Sequence, residues 1–330
     1  MKKGIMFFIL VLLASLLTSC QPSKSEEVFR ETKFLFDTEV YIEAYGSGSE
    51  RAGKKALERM AAIDQVTNFY SKSSEISKLN AAAGKKTVSL SQDTFELLER
   101  SLEIADLTKG AFDPAIGPLV QLWQTAKREK TLPSSKEIKS HLPLTNYRKI
   151  DLNANHYTAF LPTIGMSIDL GAIAKGFAVE KGMEILKEAG IQSAMVRAGG
   201  NIYTIGEKPD KSSWRVGIRN PLQLDETLGY VEPHNQVVDT SGNYEQSFTI
   251  DGKKYGHLID PRTGYPAEKT ASSTIIAKSP ALADALATAT FILGKKEGLK
   301  LIKDTPDVEG MIIGNDGSKA ISAGLNLHYK

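Results

Sequence analysis

Apolar positions alternate from Lys33 to Tyr45, with Phe34, Phe36, Val40, Ile42 and Ala44 toward one face. This period of two predicts a strand. From Ser49 to Thr67 the period lengthens: Ala52, Ala56, Leu57, Met60 and Ile63 recur at helical spacing. A second helix is expected from Ser91 to Thr108, with Phe95, Leu98, Leu102 and Ala105 inward and Gly110 as its stop. The stretch from about Thr125 to Ser140 is dominated by charge and reads as a surface excursion. Ile164, Met166, Ile168 and Leu170 alternate as a strand running into Gly171, and a helix follows from Ala172 to Ala189, closed by Gly190.

Beyond that point short strands are expected around Met195, Trp214–Ile218, Gln236–Thr240 and Phe248–Ile250. The last clear helix opens at Ser279-Pro280, an N-cap followed by proline in the first helical position, and ends at Gly294. Gly310–Ile313 and Lys319–Ser322 flank Asn315-Asp316-Gly317 and predict a β-hairpin. Strands and helices mix without strict alternation. The expected class is therefore α+β, with mixed, largely antiparallel sheets and packed helices, in one domain of interlocked subdomains over residues 33–330.

Charge changes the picture at the N-terminus. The 330 residues carry 41 Lys+Arg and 39 Asp+Glu, a formal +2. The excess is Lys2 and Lys3, which precede an apolar run from Ile5 to Leu17 and then Cys20. A basic start, about a dozen apolar residues and then small ones is the pattern of an export signal, and the run is short of the ~20 residues a spanning helix needs. Leu17-Thr18-Ser19-Cys20 resembles the lipobox of bacterial lipoproteins. Residues 1–19 are thus expected to be a signal peptide and Cys20 a lipidated residue, with 20–32 as a polar tether placing the protein on the extracytoplasmic face of the cell membrane. Without residues 1–19 the chain is neutral, with 39 basic and 39 acidic side chains, and offers no basic surplus for nucleic acid. Cys20 is the lone cysteine, which excludes disulfides, a thiolate metal site and a catalytic thiol.

Three constellations can carry chemistry. In Ile168-Asp169-Leu170-Gly171-Ala172-Ile173-Ala174-Lys175-Gly176 a glycine turn leads into a helix start. Its amides, its dipole and Lys175 suit an anionic group, although an ordinary strand-to-helix connection has the same shape. Asp284 and Thr288, four apart, share a face of an otherwise small and apolar helix. Buried, that carboxylate needs a partner or a cation, and hard oxygen ligands suit Mg²⁺ held together with phosphates. On an amphipathic helix it could instead face solvent. Gly256-His257-Leu258-Ile259-Asp260-Pro261-Arg262-Thr263-Gly264 places a titratable His, a carboxylate and an Arg in a turn-rich segment, where His257 could be a general base or a structural residue. Asp113-Pro114, Arg197-Ala198-Gly199-Gly200-Asn201 and Thr240-Ser241-Gly242-Asn243-Tyr244 read as a cap and two turns, or as places where backbone approaches a ligand. There is no zinc spacing, Walker loop or nucleophile elbow.

In order, FYSKSSEISKLN, GAFDPAIGPLVQLW, IDLGAIAKGFAVE, RAGGNIY, VVDTSGNYEQSF, HLIDPRTGYPA and ADALATATFILG resemble blocks of the FAD:protein FMN transferases, the ApbE-like flavin transferases. They run from about Phe69 to Gly294, most of the mature chain. The resemblance implies an enzyme that binds FAD and Mg²⁺, breaks the flavin pyrophosphate, joins FMN to a Thr or Ser hydroxyl of an exported acceptor protein and releases AMP. It implies metal contacts from the Ala172 carbonyl, Asp284 and Thr288. It also implies flavin-nucleotide contacts from Tyr70, Ala111, Phe112, Asp113, Asp169, Lys175 and Ile259. Similar proteins carry methionine-glycine-threonine where this chain has Phe36-Asp37-Thr38, so Phe36 is the expected contact there. Lys175 and Asp284 are expected to serve catalysis with His257 as base, Asp169 or Asp260 being alternatives. A lipid-anchored flavin- or nucleotide-binding protein of an importer, and hydrolysis of FAD to FMN and AMP, are the competing readings.

Overall fold

The alternating run at 33–45 is two strands rather than one. In the computed structural model, which describes residues 27–244 and 246–329, β1 (Val28–Leu35) and β2 (Thr38–Tyr45) pair antiparallel around a two-residue turn at Phe36-Asp37. Both turn residues have positive φ, 53° and 56°, as the tight primed hairpin turn demands. Since β1 begins at Val28, the end of the expected tether is already sheet. The signal peptide, Cys20 and the first tether residues lie outside the described residues.

The hairpin forms one edge of an eight-stranded sheet of order β1-β2-β6-β7-β10-β13-β14-β15, with β6 at Ser193–Ala198, β7 at Asn201–Ile205, β10 at Val237–Gly242, β13 at Thr270–Ala277, β14 at Glu309–Gly314 and β15 at Lys319–Ile321. Every pairing is antiparallel. Helices α1 (Ser49–Thr67), α6 (Ala174–Glu188) and α7 (Pro280–Asp304) cover one face. On the other, β8 (Val216–Arg219) and β9 (Thr227–Val231) pack Val216, Ile218 and Val231 onto Val238, Ile276 and Met311. The α+β expectation holds. Adjacent residues Val237 and Val238, or Ile275 and Ile276, thus enter different cores. All eight residues of β13 are buried. A strand covered on both faces shows no polar alternation, and the sequence pattern missed it.

Two further expectations change. Residues 166–170 join no sheet, and Ile164-Gly165 before them form a turn in which the Met166 amide donates to the Thr163 carbonyl at 3.1 Å. The Asn80 side chain at the end of α2 (Glu75–Ala81) takes both backbone groups of Ile168, donating to its carbonyl at 2.9 Å and accepting from its amide at 2.6 Å. The Asp169 amide donates to Pro114 O at 2.9 Å. Side chain and loop replace a neighbouring strand here. Gly294, the expected end of the last helix, breaks the helical angles with φ 75°, but α7 resumes and runs to Asp304. The helix over 49–67 and the β14–β15 hairpin stand as expected, the helix expected over 172–189 runs from 174 to 188 with Ala172 in the turn before it, and α3 (Gln92–Leu107) lies within one residue of its predicted limits. The charged excursion is exposed, as expected, but it is helical: α4 (Gly117–Glu129) runs through its first half and α5 (Ser135–His141) through its second. Of Thr240-Ser241-Gly242-Asn243-Tyr244, for which a turn and a place of backbone approach are the two readings, Thr240-Ser241-Gly242 is the end of β10.

Helices α6 and α7 cross at Gly176, where an added Cβ would overlap the Pro280 carbonyl oxygen and sit 2.9 Å from Asp284 Cβ. Backbone cannot yield there as a flexible side chain could. Gly176→Ala is therefore expected to cost about 1–3 kcal/mol despite alanine's better helix propensity, read as a lower urea midpoint at unchanged slope.

Candidate flavin and metal site

Gly171 ends the extended segment and frees the chain to turn into α6, whose N-cap, Ile173, offers no side-chain acceptor. Asp284 supplies one from α7. Its Oδ2 accepts from the Gly176 amide at 2.9 Å, and its Oδ1 accepts from Lys175 Nζ at 3.0 Å. The carboxylate is 3% exposed. The solvent-facing alternative is excluded: Asp284 is a charged cap for another helix, favoured by that helix's positive end and by the lysine one residue earlier. The amide of Gly171 is likewise taken by Asp169 Oδ1 at 2.8 Å. One helical turn beyond Asp284, Thr288 Oγ1 lies 3.4 Å from Ser241 Oγ on β10.

This junction forms one end of a cavity of ≈ 610 Å³. Its wall includes all twelve expected contact and catalytic residues: Phe36, Tyr70, Ala111, Phe112, Asp113, Asp169, Ala172, Lys175, His257, Ile259, Asp284 and Thr288. They arrive from the β1–β2 turn, the loops after α1 and α3, the start of α6, the segment after β12 (Lys253–Gly256), and α7. Asp260 is not in this wall. Its carboxylate binds Arg262 through Nε at 2.8 Å and Nη2 at 2.7 Å, closing its own turn.

Several titratable groups of the wall are shifted toward their neutral forms. Asp113 caps the 3-10 turn at Pro114–Ile116, accepting from the Ala115 amide at 2.8 Å and the Tyr147 amide at 3.2 Å, so its capping role and its place in the cavity coincide. Desolvation nonetheless pushes its carboxyl up to about 6. Desolvation also raises Asp169. His257 moves the other way, with burial and then the positive charges of Lys175 and Lys127 lowering it. Its Nδ1 lies 2.9 Å from the Gln246 carbonyl, which can only accept, so Nδ1 carries the proton and Nε2 is left as the basic nitrogen.

Sequence reasoning missed several members of this wall. Gln124 donates from Nε2 to the Tyr70 hydroxyl at 3.0 Å, holding a 60% exposed ring at the mouth. Asp64 on α1 accepts from the Phe36 amide and so pins the left-handed turn. Gly199 and Gly200, flagged as a place of close backbone approach, do line the cavity. Gln124 and Asp64 sit on amphipathic helices where a polar residue gives no signal, and only the tertiary contact reveals them.

As to a metal, no group of three or more His, Cys, Asp or Glu is gathered among the described residues. One carboxylate and one hydroxyl, with Ala172 in the same wall, make a small set of hard oxygen donors. That set fits Mg²⁺ completed by phosphate oxygens and water better than a metal caged by protein.

The ApbE family model matches residues 36–312. The FAD:protein FMN transferase of Treponema pallidum is 32% identical over 326 residues, covering 93% of this chain and 90% of that one. That of Klebsiella pneumoniae is 28% identical over 304 residues, covering 92% and 94%. Among solved structures, the apbe protein of Thermotoga maritima superposes with a TM-score of 0.83 at 32% identity over 90% of this chain and 97% of that one. The flavin transferase ApbE of Vibrio cholerae gives 0.81 at 26% over 90% and 98%.

Asp113 makes the fold pH-dependent with a definite sign. Its folded carboxyl is raised from 3.8 to about 6, so its contribution is fully present below pH 3.8 and is lost as pH rises through about 6. Relative to Asp113→Asn, wild type should lose about 2 kcal/mol of stability between pH 4.5 and pH 8, measured by urea unfolding at both values.

Proposed function

Since this chain belongs to the ApbE family, we propose how its cavity carries out the transfer of FMN from FAD to protein. The observation that carries the reading is the junction of Lys175, Asp284 and Thr288 in the wall of a cavity that Phe36, Phe69, Tyr70 and Phe112 also line. The flavin ring lies along Phe36, Tyr70 and Phe112, and Asp113 and Asp169 meet its polar edges. The pyrophosphate lies at the Lys175 end. Ala172, Asp284 and Thr288 would hold Mg²⁺ there, and the ion would withdraw charge from the pyrophosphate as a Lewis acid.

The chain's own residues complete the chemistry. The acceptor is a Thr or Ser hydroxyl of an exported protein. Its proton passes to His257 Nε2, the nitrogen left basic by the Nδ1–Gln246 contact. The hydroxyl oxygen bonds to the FMN phosphorus, and the bond from that phosphorus to the bridging oxygen breaks. AMP leaves, carrying the charge that Lys175 stabilises. The flavin remains on the acceptor through a phosphoester. Lys175 and Asp284 are paired at 3.0 Å, so the carboxylate positions the ammonium. We place the enzyme on the extracytoplasmic face of the membrane, held by lipid on Cys20, because a basic start, an apolar run and a lipobox-like tetrapeptide precede the fold.

Chelation should abolish transfer, and Asp284→Ala should lower it at least about 100-fold, scored as fluorescent flavin covalently on the acceptor together with free AMP. The substitution also uncaps α6 and leaves Lys175 without its carboxylate, so a destabilisation of about 3 kcal/mol is expected alongside. A folded Asp284→Ala protein transferring at the wild-type rate would show the metal assignment to be wrong.

The pH profile tests the base. Because the His257 imidazole is lowered from 6.5, transfer should persist below pH 6.5 and then fall as Nε2 protonates. His257→Ala should slow transfer about 10²–10⁴-fold and remove that acidic limb. An unchanged limb in the variant would assign the proton to another group.

A further inference from the structure

Between residues 127 and 139 the chain carries five cationic side chains, Lys127, Arg128, Lys130, Lys136 and Lys139, against two acidic ones, Glu129 and Glu137. In a chain that is neutral beyond residue 19 this is a local concentration, and all five cations are exposed. Little of it is neutralised in place. Glu137 closes the capping box of α5 with Ser134, and Glu129 pairs with its neighbour Arg128 at 3.2 Å. Among the described residues Lys127, Lys130, Lys136 and Lys139 form no ion pair.

The surface beneath these charges is firmly built. Ile138 of α5 is 1% exposed and packs with Leu119 and Trp123 of α4. The Trp123 indole donates to the Gly264 carbonyl at 2.7 Å. The charges therefore stand on a packed platform. The platform also borders the mouth of the cavity. Val120 and Gln124 line the cavity, and Lys127 follows them on the same helical face. Lys127 is near enough to act electrostatically on His257.

We propose that this α4–α5 face is the docking surface for the acceptor protein, and that it selects acceptors carrying Asp and Glu beside the hydroxyl to be modified. The inference rests on the transfer reading above and adds the partner's charge to it. A protein seated on the platform meets α4 beside Val120, Gln124 and Lys127, next to the cavity that His257 lines, and so would bring its hydroxyl to that opening. An anionic membrane pressed on the same face would close that mouth to a protein. Charge complementarity therefore favours an acidic protein face over lipid headgroups. Its effect is on encounter and affinity, and it is screened once salt shortens the Debye length below about 8 Å.

The test uses the protein without its first 20 residues, whose described fold begins at residue 27. The probe is one small flavinylatable domain in two forms, one with carboxylates around the accepting residue and one with those carboxylates changed to amides. Changing the accepting residue itself to Val lets affinity be titrated without transfer. Lys130→Glu/Lys136→Glu/Lys139→Glu should weaken binding of the acidic form about tenfold at low ionic strength and leave the amide form unaffected. The difference should vanish in high salt, while FAD affinity and thermal melting stay unchanged. With the hydroxyl restored, KM for the acidic form should rise with kcat constant. Equal affinity of wild type and variant for the acidic form would overturn the proposal. So would a variant that loses binding to phosphatidylglycerol vesicles while keeping its acceptor affinity. Failure of the wild type to transfer FMN to either form would count against the transfer reading, and the titrations would still decide the docking surface.

Discussion

The site depends on a carboxylate that has been taken out of water and made to serve two helices. Burying Asp284 costs several kcal/mol unless its oxygens are matched. They are matched by the Gly176 amide, at the positive end of α6, and by the Lys175 ammonium. The match requires α6 and α7 to approach closely, which is why residue 176 has no side chain. It also requires α7 to be small and apolar around Asp284. The run of alanines from Ala281 to Ala289 provides this, each buried against the sheet or the neighbouring helices. The pair Lys175–Asp284 is thus a consequence of helix packing, and its geometry is as firm as the core beneath it.

The sheet carries this arrangement because both of its faces are covered. Helices and the cavity lie on one side and the β8–β9 layer on the other, so strands such as β13 cannot shift register without moving apolar side chains in two cores at once. Two hydroxyls in that doubly buried strand find partners on neighbouring elements: Ser273 meets Thr290 of α7 at 2.7 Å, and Thr274 meets Thr240 of β10 at 2.9 Å. These contacts fix α7 against β13 and β10, and with it the position of Thr288 beside Ser241. Strain collects at the cavity instead. Phe36 and Asp37 hold left-handed backbone angles beside the mouth, pinned by Asp64 from α1.

What could be read from the sequence follows from how local each signal was. α1, α3 and α6 were legible because their apolar period and their stops lie within a single segment. Asp284, Thr288, Lys175 and His257 stood out as residue types in unusual surroundings, and the other expected contacts through resemblance to a known family; the structure brings them into one cavity wall. The importer reading, built on length, signal and charge, did not survive the family match, since none of those features is specific to a site. β13 was not legible, because burial on both faces erases its alternation. The segment 164–170 alternates like a strand, yet an amide side chain 88 residues earlier in the chain takes the place of its partner. Gln124 and Asp64 acquire meaning only from what they touch. The helix-start anion site also reads differently in three dimensions, with the Gly171 and Gly176 amides already occupied by carboxylates.

That occupation clarifies how a neutral protein can hold a doubly charged pyrophosphate. Desolvation raises Asp113, Asp169 and Asp64 and lowers His257, so at each of these groups the cavity disfavours charge. The same shielding from water strengthens whatever charge remains. Lys175 and Asp284 stand among these groups as an ion pair at 3.0 Å. On the proposed reading, a cation bound beside Asp284 would turn that end more positive without any basic surplus elsewhere, and affinity for the anionic substrate would depend on occupancy of that position. The α4–α5 platform, outside the cavity, is the other concentration of positive charge at its mouth, and it faces the side from which a second, macromolecular substrate has to come.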